Sequence, residues 1–321
     1  MKRAIFVTAI GGDIGQSVLR CLRGKYPESD LYGSDMDPFA ASRDEVKKFY
    51  LSPSPQNSKY ANFVKTVVLE NNIDYFLPIA ESEIIWFEKN KRLFDNDGVK
   101  ILINSSQIVD TFSDKFIAAQ FFKENNIKHP RTFLAEKYNS ELDYPYILKK
   151  RLGYGGKGLI KVDKRGSYDL SDEKFKDCVV QEYVSDEWPE YTVAVFSDGK
   201  NTVSISFKRQ LGYGSLTKIA ELINDIELET IATDIARLVG LKGSINLQFR
   251  KTNEGYVLLE INPRLSSTVY IRHNFGFTDV KWWIDILEGK EFSYVPKYES
   301  GVGVRRVAEV FFEMKPFQGR T

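Results

Sequence analysis

The first hundred residues restrict the fold more than any other stretch. Short apolar runs alternate there with helical patterns: residues 3–9 (RAIFVTA), a helical repeat over 13–23, residues 31–35 (LYGSD), a second helical repeat over 59–70, then 74–80 (DYFLPIA) and 99–104 (VKILIN). Alternation of this kind is the mark of an open parallel sheet with crossover helices, an α/β arrangement. Ligands in such sheets bind beyond the carboxyl ends of the strands, here residues 11–15, 35–37 and 78–83.

The chain of 321 residues exceeds the usual limit of one hydrophobic core, so two or three subdomains are expected. A net charge of +1 and ordinary apolar content argue against disorder and against a nucleic-acid footprint. The expected partner is therefore small. The apolar run near the start is too short to span a bilayer and lacks a cleavage pattern, which reads as a first strand of a cytoplasmic protein without membrane association. Cys21 and Cys178, far apart, suggest neither a disulfide framework nor a zinc site. The two histidines, His129 and His273, exclude a histidine-rich metal site and read as structural.

The turn IGGDIGQS follows a strand and opens a helix, so its amides can hold an anion. Gly12, Gly15 and Asp35 fit the second half of a dinucleotide fingerprint, but Ile10 stands where its first glycine belongs. A nicotinamide-dependent oxidoreductase is thus an alternative, against a plain tight turn. Glu81 and Glu83 read as helix N-terminal charges or as part of an acceptor pocket.

Ser113 and Asp114 can cap a helix over 115–125. Lys115 sits in its first turn, where a cation opposes the helix dipole unless a phosphate is near. Next, two apolar strands flank a loop with Gly153, Gly155, Gly156 and Gly158, framed by Lys149, Lys150, Arg151 and Lys157. Glycines let amides close on phosphate oxygens, and lysines add charge. This is not a Walker A loop, since Gly158 follows Lys157 and strands rather than a helix surround it. In VVQEYV, the backbone of Glu182, Tyr183 and Val184 can pair with an adenine edge beside Gln181, and Glu190 at the next strand can accept ribose hydroxyls. A charged strand edge explains the same residues equally well.

Residues 256–267, YVLLEINPRLSS, form an apolar strand ending in Glu260, Asn262 and Arg264. An unpaired carboxylate at the end of a buried strand is costly, and magnesium is its natural partner because it takes hard oxygens together with phosphate. Glu260 and Asn262, two apart, point one way. Arg264 offers a planar fork for phosphate. Residues 243–251 (GSINLQFRK) pair with this strand as a hairpin, bringing the Gln248 amide near Glu260. A helix capped by Asn224 or Asp225 runs to Val239, with Leu228, Ile231, Ile235, Leu238 and Val239 facing the core. Residues 279–289 read as a helix and 301–313 as a final strand.

Taken in order, these motifs resemble the ATP-grasp superfamily over nearly the whole chain, on the side of the carbamoyl phosphate synthetase large subunit and other carboxylate–amine ligases. Gln248, Glu260, Asn262 and Arg264 stand as that branch's Q…E-x-N-x-R set; Lys115, Lys149, the glycine loop, VVQEYV and Glu190 complete the resemblance. It implies a Rossmann-like domain over 1–108, linker helices and a lid over 109–184, and a metal- and phosphate-bearing domain over 185–321. It further implies that Lys115 and Lys149 contact the nucleotide phosphates, which the backbone of Gly155, Gly156, Lys157 and Gly158 covers. Gln181, Glu182, Tyr183 and Val184 would line the adenine, and Glu190 the ribose. Gln248, Glu260 and Asn262 would serve magnesium, with manganese as a substitute. Arg264 would hold the transferring phosphoryl group or the acyl phosphate, with Asn262 and Lys149 beside it. The activity implied is ATP-dependent joining of a small carboxylate to an amine or ammonia, releasing ADP and phosphate. A basic set of Lys208, Arg209, Lys218, Arg272, Arg305 and Arg306 suggests an anionic substrate, and a homodimer would fit the family. A non-catalytic nucleotide-binding protein is the remaining alternative, though it leaves Glu260, Asn262 and Arg264 without a use.

Overall fold

The computed structural model describes residues 2–95, 97–153, 158–212, 214, 216–306 and 308–311. Strands β1 (Ala4–Val7), β2 (Asp30–Asp35), β3 (Lys48–Leu51), β4 (Tyr75–Leu77) and β5 (Lys100–Ile101) run parallel in the order β3-β2-β1-β4-β5. Central strands covered on both faces must be apolar throughout, and β1 and β4 are. Helices α2 (Tyr60–Glu70) and α3 (Glu81–Asn90) close one face around Phe6, Tyr60, Val64, Phe76 and Phe87. Helix α1 (Asp13–Lys25) lies on the other face, with Val18, Leu19 and Leu22 buried.

Helices α4 (Ser106–Ser113) and α5 (Lys115–Glu124) lead into a second, antiparallel sheet ordered β6-β9-β7-β8. Its strands are β6 (Thr132–Leu134), β7 (Tyr146–Lys150), β8 (Ile160–Val162) and β9 (Cys178–Glu182). It has a small core of its own around Tyr146, Leu148, Val162, Phe175 and Val180.

The third sheet holds β10 (Glu190–Asp198), β11 (Thr202–Leu211), β12 (Thr217–Ile223), β13 (Lys242–Thr252), β14 (Gly255–Asn262) and β15 (Val302–Val304). All pair antiparallel, in the order β14-β13-β10-β11-β12-β15. One face packs Val193, Val195, Leu247 and Leu258 against α4, α5 and helix α6 (Ile226–Leu238). The opposite face sets Ala194, Phe196, Ile205 and Phe207 against α1, α7 (Val269–Asn274) and α8 (Asp279–Leu287), making one core with the first sheet. Burying an aromatic such as Phe207 completely contributes about 1.5–3 kcal/mol. Among the described residues no helix is long and apolar enough to cross a membrane.

Several elements differ from the sequence expectation. Strands β3, β6 and β12 and helix α7 carry no clear periodicity, so they were not legible. The strand expected over 301–313 is confined to Val302–Val304 among the described residues, residues 307, 312 and 313 lying outside them; the Arg305 side chain donates to the Thr217 and Ser267 carbonyls (2.8 and 2.6 Å). Asp225, rather than Asn224, caps α6 by accepting the Leu228 N–H at 3.1 Å, and the same carboxylate takes the Tyr256 hydroxyl at 2.5 Å. Leu238 is exposed; Leu228, Ala232, Ile235 and Ala236 form the buried stripe.

The link between β14 and α7 is fixed by buried polar contacts. Arg272, fully buried, reaches Asp279 through Nη2 (2.6 Å) and Nε (3.2 Å), and its Nη1 donates to Ser266 Oγ (2.9 Å) and Thr268 Oγ1 (3.0 Å). The Ser266 hydroxyl donates to Asn246 Oδ1 (2.8 Å), as does the Thr192 hydroxyl (2.9 Å). From the first sheet, Asn104 Nδ2 donates to the carbonyls of Ser244 (2.8 Å) and Pro263 (2.9 Å). Gly243 is required there: a Cβ would stand 2.6 Å from Asn104 Oδ1 and 2.7 Å from the Trp283 ring. Removing one partner of a buried pair strands the other charge, so Arg272→Met is expected to cost about 3–5 kcal/mol in denaturant unfolding. Arg272→Met with Asp279→Leu should recover much of that loss, whereas a single-variant cost below about 1 kcal/mol would show that the pair contributes little.

Candidate functional site

Strict alternation along β14 would put Tyr256, Leu258 and Glu260 on one face, sinking the carboxylate into the helix-covered core. The strand avoids this with a bulge. Gln248 pairs with Glu260 and Phe249 with Leu258, leaving Leu259 as an extra residue. The bulge resets the phase: Tyr256, Leu258 and Ile261 stay in the core, and Glu260 and Asn262 turn together to the opposite face. The face they join carries Glu190, Arg209, Gln248 and Arg250 on the neighbouring strands.

Lys115, Lys149, Gln181 and Glu260 line one cleft, floored by Ala118, Phe122 and Ile261 and bordered by His129 and Pro130. Residues from α5, β7, β9 and β14 thus meet there. Lys149 Nζ donates to Gln181 Oε1 at 2.8 Å, and Gln181 Nε2 donates to Thr132 Oγ1 at 2.9 Å, which fixes the amide. Burial pushes the Lys149 pKa down to about 8, Glu260 opposes the fall and Lys115 adds to it. Lys115, awkward at a helix start, has a partner: its Nζ donates to the Gly153 carbonyl at 2.6 Å. Asp114 caps α5 through the amides of Phe116 (2.9 Å) and Ile117 (3.3 Å) and pairs with Arg151 at 2.5 Å. Arg151, a bulky residue ahead of a glycine loop, therefore joins the loop to the helix. Gly155, Gly156 and Lys157 lie outside the described residues; Gly158 follows them with φ +74°.

Arg209, which the sequence places only in a basic set suggesting an anionic substrate, organises this face. It is buried, forms an ion pair with Glu190, and donates to Gln248 Oε1 at 3.0 Å. Its position follows from register, Glu190 opposite Arg209, which one sequence does not display. The Gln248 amide oxygen thus already serves one guanidinium donor. Arg250 holds the segment after β9, donating to the Val184 carbonyl (3.1 Å) and pairing with Asp186 (2.7 Å). The Glu182 amide donates to the Arg131 carbonyl at 2.9 Å, the Glu182 carboxylate accepts from the Arg131 amide, and Tyr183 lies under Lys161.

Arg264 is mostly buried, donates to the Leu265 carbonyl at 3.0 Å and faces Glu81 of α3 at 3.8 Å. The first sheet therefore contributes to the site. Of the basic set expected to greet an anion, Arg209, Arg272 and Arg305 are engaged with protein partners; Arg305 lies 3.4 Å from Asp13. The loops of the first sheet do not support the nicotinamide alternative. Ile10 is fully buried in the core, and Asp35 accepts the Gly11 and Asp37 amides (2.8 and 2.9 Å). Gly15 is needed for close packing, since a Cβ there would lie 2.3 Å from the Ala9 carbonyl oxygen. His273 is half-buried and stacks on Tyr270, burial holding its pKa down at about 4.

A parallel sheet, an antiparallel lid sheet and a third sheet whose polar face shares a cleft with two lysines together define an ATP-grasp fold. In sequence the chain is similar to ATP-grasp proteins, carboxylate–amine ligases among them. Residues 174–310 match the family described as "ATP-grasp in the biosynthetic pathway with Ter operon". The chain is 27% identical over 232 residues to the tyramine–L-glutamate ligase of Methanocaldococcus jannaschii, covering 70% of this chain and 67% of that protein. It is 27% identical over 192 residues to the arginine-specific carbamoyl phosphate synthase large chain of Bacillus subtilis, covering 54% of this chain but only 18% of that one. In fold it is similar to N5-carboxyaminoimidazole ribonucleotide synthetase from Thermotoga maritima, with a TM-score of 0.68, 18% identity and coverage of 94% and 80%.

The Asp114 carboxylate combines a helix cap with an anchor for the loop. Asp114→Ala is expected to cost about 1–2 kcal/mol in urea unfolding. It should also speed hydrogen exchange at the Phe116 and Ile117 amides, and unchanged exchange there would dismiss the cap.

Proposed function

We propose that this protein is an ATP-dependent ligase that activates a small carboxylate as its acyl phosphate and passes it to an amine. The observation that carries the proposal is the meeting of Lys115, Lys149, Gln181 and Glu260 in one cleft, with Arg264 beyond them on the same strand end. The relative from M. jannaschii is named for an amine and an amino acid. For this chain the same two classes, an amine and an acid presented as its anion, are inferred, in a cytoplasmic setting.

A carboxylate is a poor electrophile because an oxide would have to leave, so its oxygen attacks the γ-phosphorus of ATP and ADP departs. The acyl phosphate then has phosphate as its leaving group. The protein's task is alignment and charge neutralisation, for which fixed cations in a water-poor cleft are suited. Lys149, held by Gln181, and Lys115 would face the phosphates, and Arg264 the transferring group. The 158 side of the glycine loop would cover them and exclude water. Gln181 and the backbone of Glu182, Tyr183 and Val184 would meet the adenine. Glu190, oriented by Arg209, would meet the ribose.

Among the described residues no three His, Cys, Asp or Glu side chains cluster as a metal cage. The bulge does present one carboxylate and one amide oxygen on the same face, Glu260 and Asn262, a hard-oxygen pair that fits magnesium completing its shell with phosphate. When bound, the ion neutralises phosphate charge.

The assignment is tested by an ADP-release screen of carboxylic acids against amines, with products read by mass; no condensed product from any pair would refute it. Glu260→Ala should abolish magnesium-ATP turnover while circular dichroism stays native. Arg264→Lys should slow transfer about 100-fold or more although charge is kept, because the fork is lost. A wild-type rate in either variant would remove that residue's role. The Lys149 pKa sets a pH dependence. The ammonium form binds phosphate, so affinity should be level below pH 7 and fall as pH rises through about 8. The limiting slope is about tenfold per pH unit, and Lys149→Arg should flatten it in calorimetric titration.

A further inference from the structure

The first turn of α3 carries two glutamates with opposite surroundings. Glu83 is buried and fully engaged: it accepts the hydroxyls of Thr8 (2.6 Å) and Tyr60 (2.7 Å) and the Ala80 amide (3.2 Å). That engagement fixes the turn. Glu81 is 6% exposed, yet among the described residues its carboxylate takes no hydrogen bond, and its nearest ionic partner is Arg264 at 3.8 Å. The ion pairs this protein closes firmly are much shorter, 2.5 Å for Arg151–Asp114 and 2.6 Å for Arg272–Asp279. A nearly buried carboxylate with unfilled acceptor capacity is costly unless something else occupies it. Its charged neighbours are Arg264, Glu260 and Lys115, the groups placed around the proposed reaction.

We propose that Glu81 is the catalytic base for the acceptor, holding its ammonium group and taking a proton from it as the nitrogen attacks the acyl phosphate. This rests on the ligase reading above. The ammonium R–NH3+ gives one proton to the Glu81 carboxylate and becomes a neutral amine. Its lone pair forms the bond to the acyl carbon, and the bond from that carbon to the phosphate oxygen breaks, its electrons leaving with phosphate. The second proton lost by nitrogen departs on the phosphate, as hydrogen phosphate. Burial raises the Glu81 pKa above the ordinary glutamate range, while Arg264 and Lys115 oppose the rise and Glu260 adds to it. A base of higher proton affinity takes a proton more readily at neutral pH.

The test separates activation from capture. Hydroxylamine is already unprotonated at neutral pH and traps acyl phosphates as hydroxamates without a base. Wild type and Glu81→Gln are given magnesium-ATP, the twenty common amino acids in turn and hydroxylamine. The acid that yields most hydroxamate is then paired with tyramine and with ammonium from pH 7 to 9. In Glu81→Gln, hydroxamate should stay within about threefold of wild type while amide formation at pH 7 falls about 100-fold or more. That deficit should shrink by up to about tenfold per pH unit as free amine accumulates. Equal loss of hydroxamate and amide would mean that Glu81 only places Arg264, and no loss of either would mean that it is idle; both overturn the proposal. Hydroxamate from wild type without amide from either amine overturns it as well. No hydroxamate from wild type with any acid would instead sink the ligase reading, and the role of Glu81 with it.

Discussion

The chemistry depends on where one short peptide is held. Residues 263–268 leave the third sheet carrying Arg264, and no regular element constrains them. Their position comes from Asn104 grasping the Pro263 carbonyl and from Arg272 holding the Ser266 and Thr268 hydroxyls. Asn104 belongs to the first sheet's last strand end and Arg272 to α7, so this peptide is clamped from two directions. Buried polar networks of this kind give little net stability but specify one arrangement, because any slip leaves charges unpaired. A guanidinium aimed at a transferring phosphoryl group needs that kind of fixity.

The same logic explains the layering around the site. The helix-covered face of the third sheet is apolar from Val193 to Leu258 and carries the core. Its other face is apolar only where α1, α7 and α8 cover it, and polar where Glu190, Arg209, Gln248, Glu260 and Asn262 come together. The polar half meets α5 and the lid sheet across a narrow cleft. Burial, with repulsion from Lys115 added to it, is why Lys149 is inclined to release its proton and why an anion there would be welcome.

Much of this was legible in the sequence because periodicity and motif order survive without register. The parallel sheet, the glycine hairpin between β7 and β8, the pairing of Gln248 with Glu260 and the joint orientation of Glu260 and Asn262 were all readable. What was not readable required knowing which strand lies opposite which. Arg209 passed for substrate-facing charge because its partner, Glu190, is 19 residues away on another strand. Arg272 and Arg305 passed for substrate-facing charge because nothing local announces Asp279 or the Thr217 carbonyl. Glu81 and Glu83 look alike in PIAESE; the hydroxyls of Thr8 and Tyr60, 75 and 23 residues back, separate them. The short β3 and β6 offer too few residues for alternation to be recognised, and β12, seven residues long, does not alternate strictly.

The extra residue at Leu259 has a second effect. Strand β14 is an outer strand of its sheet, and an unbroken outer strand offers a row of free amides on which another chain can add itself. Here the Leu258 amide is already given to the Lys128 carbonyl at 2.8 Å, and the irregularity follows immediately after it. The one-residue slip that turns Glu260 toward the cleft therefore also breaks the template for strand addition, so that accuracy of aim and resistance to edge-to-edge aggregation come from a single local deformation.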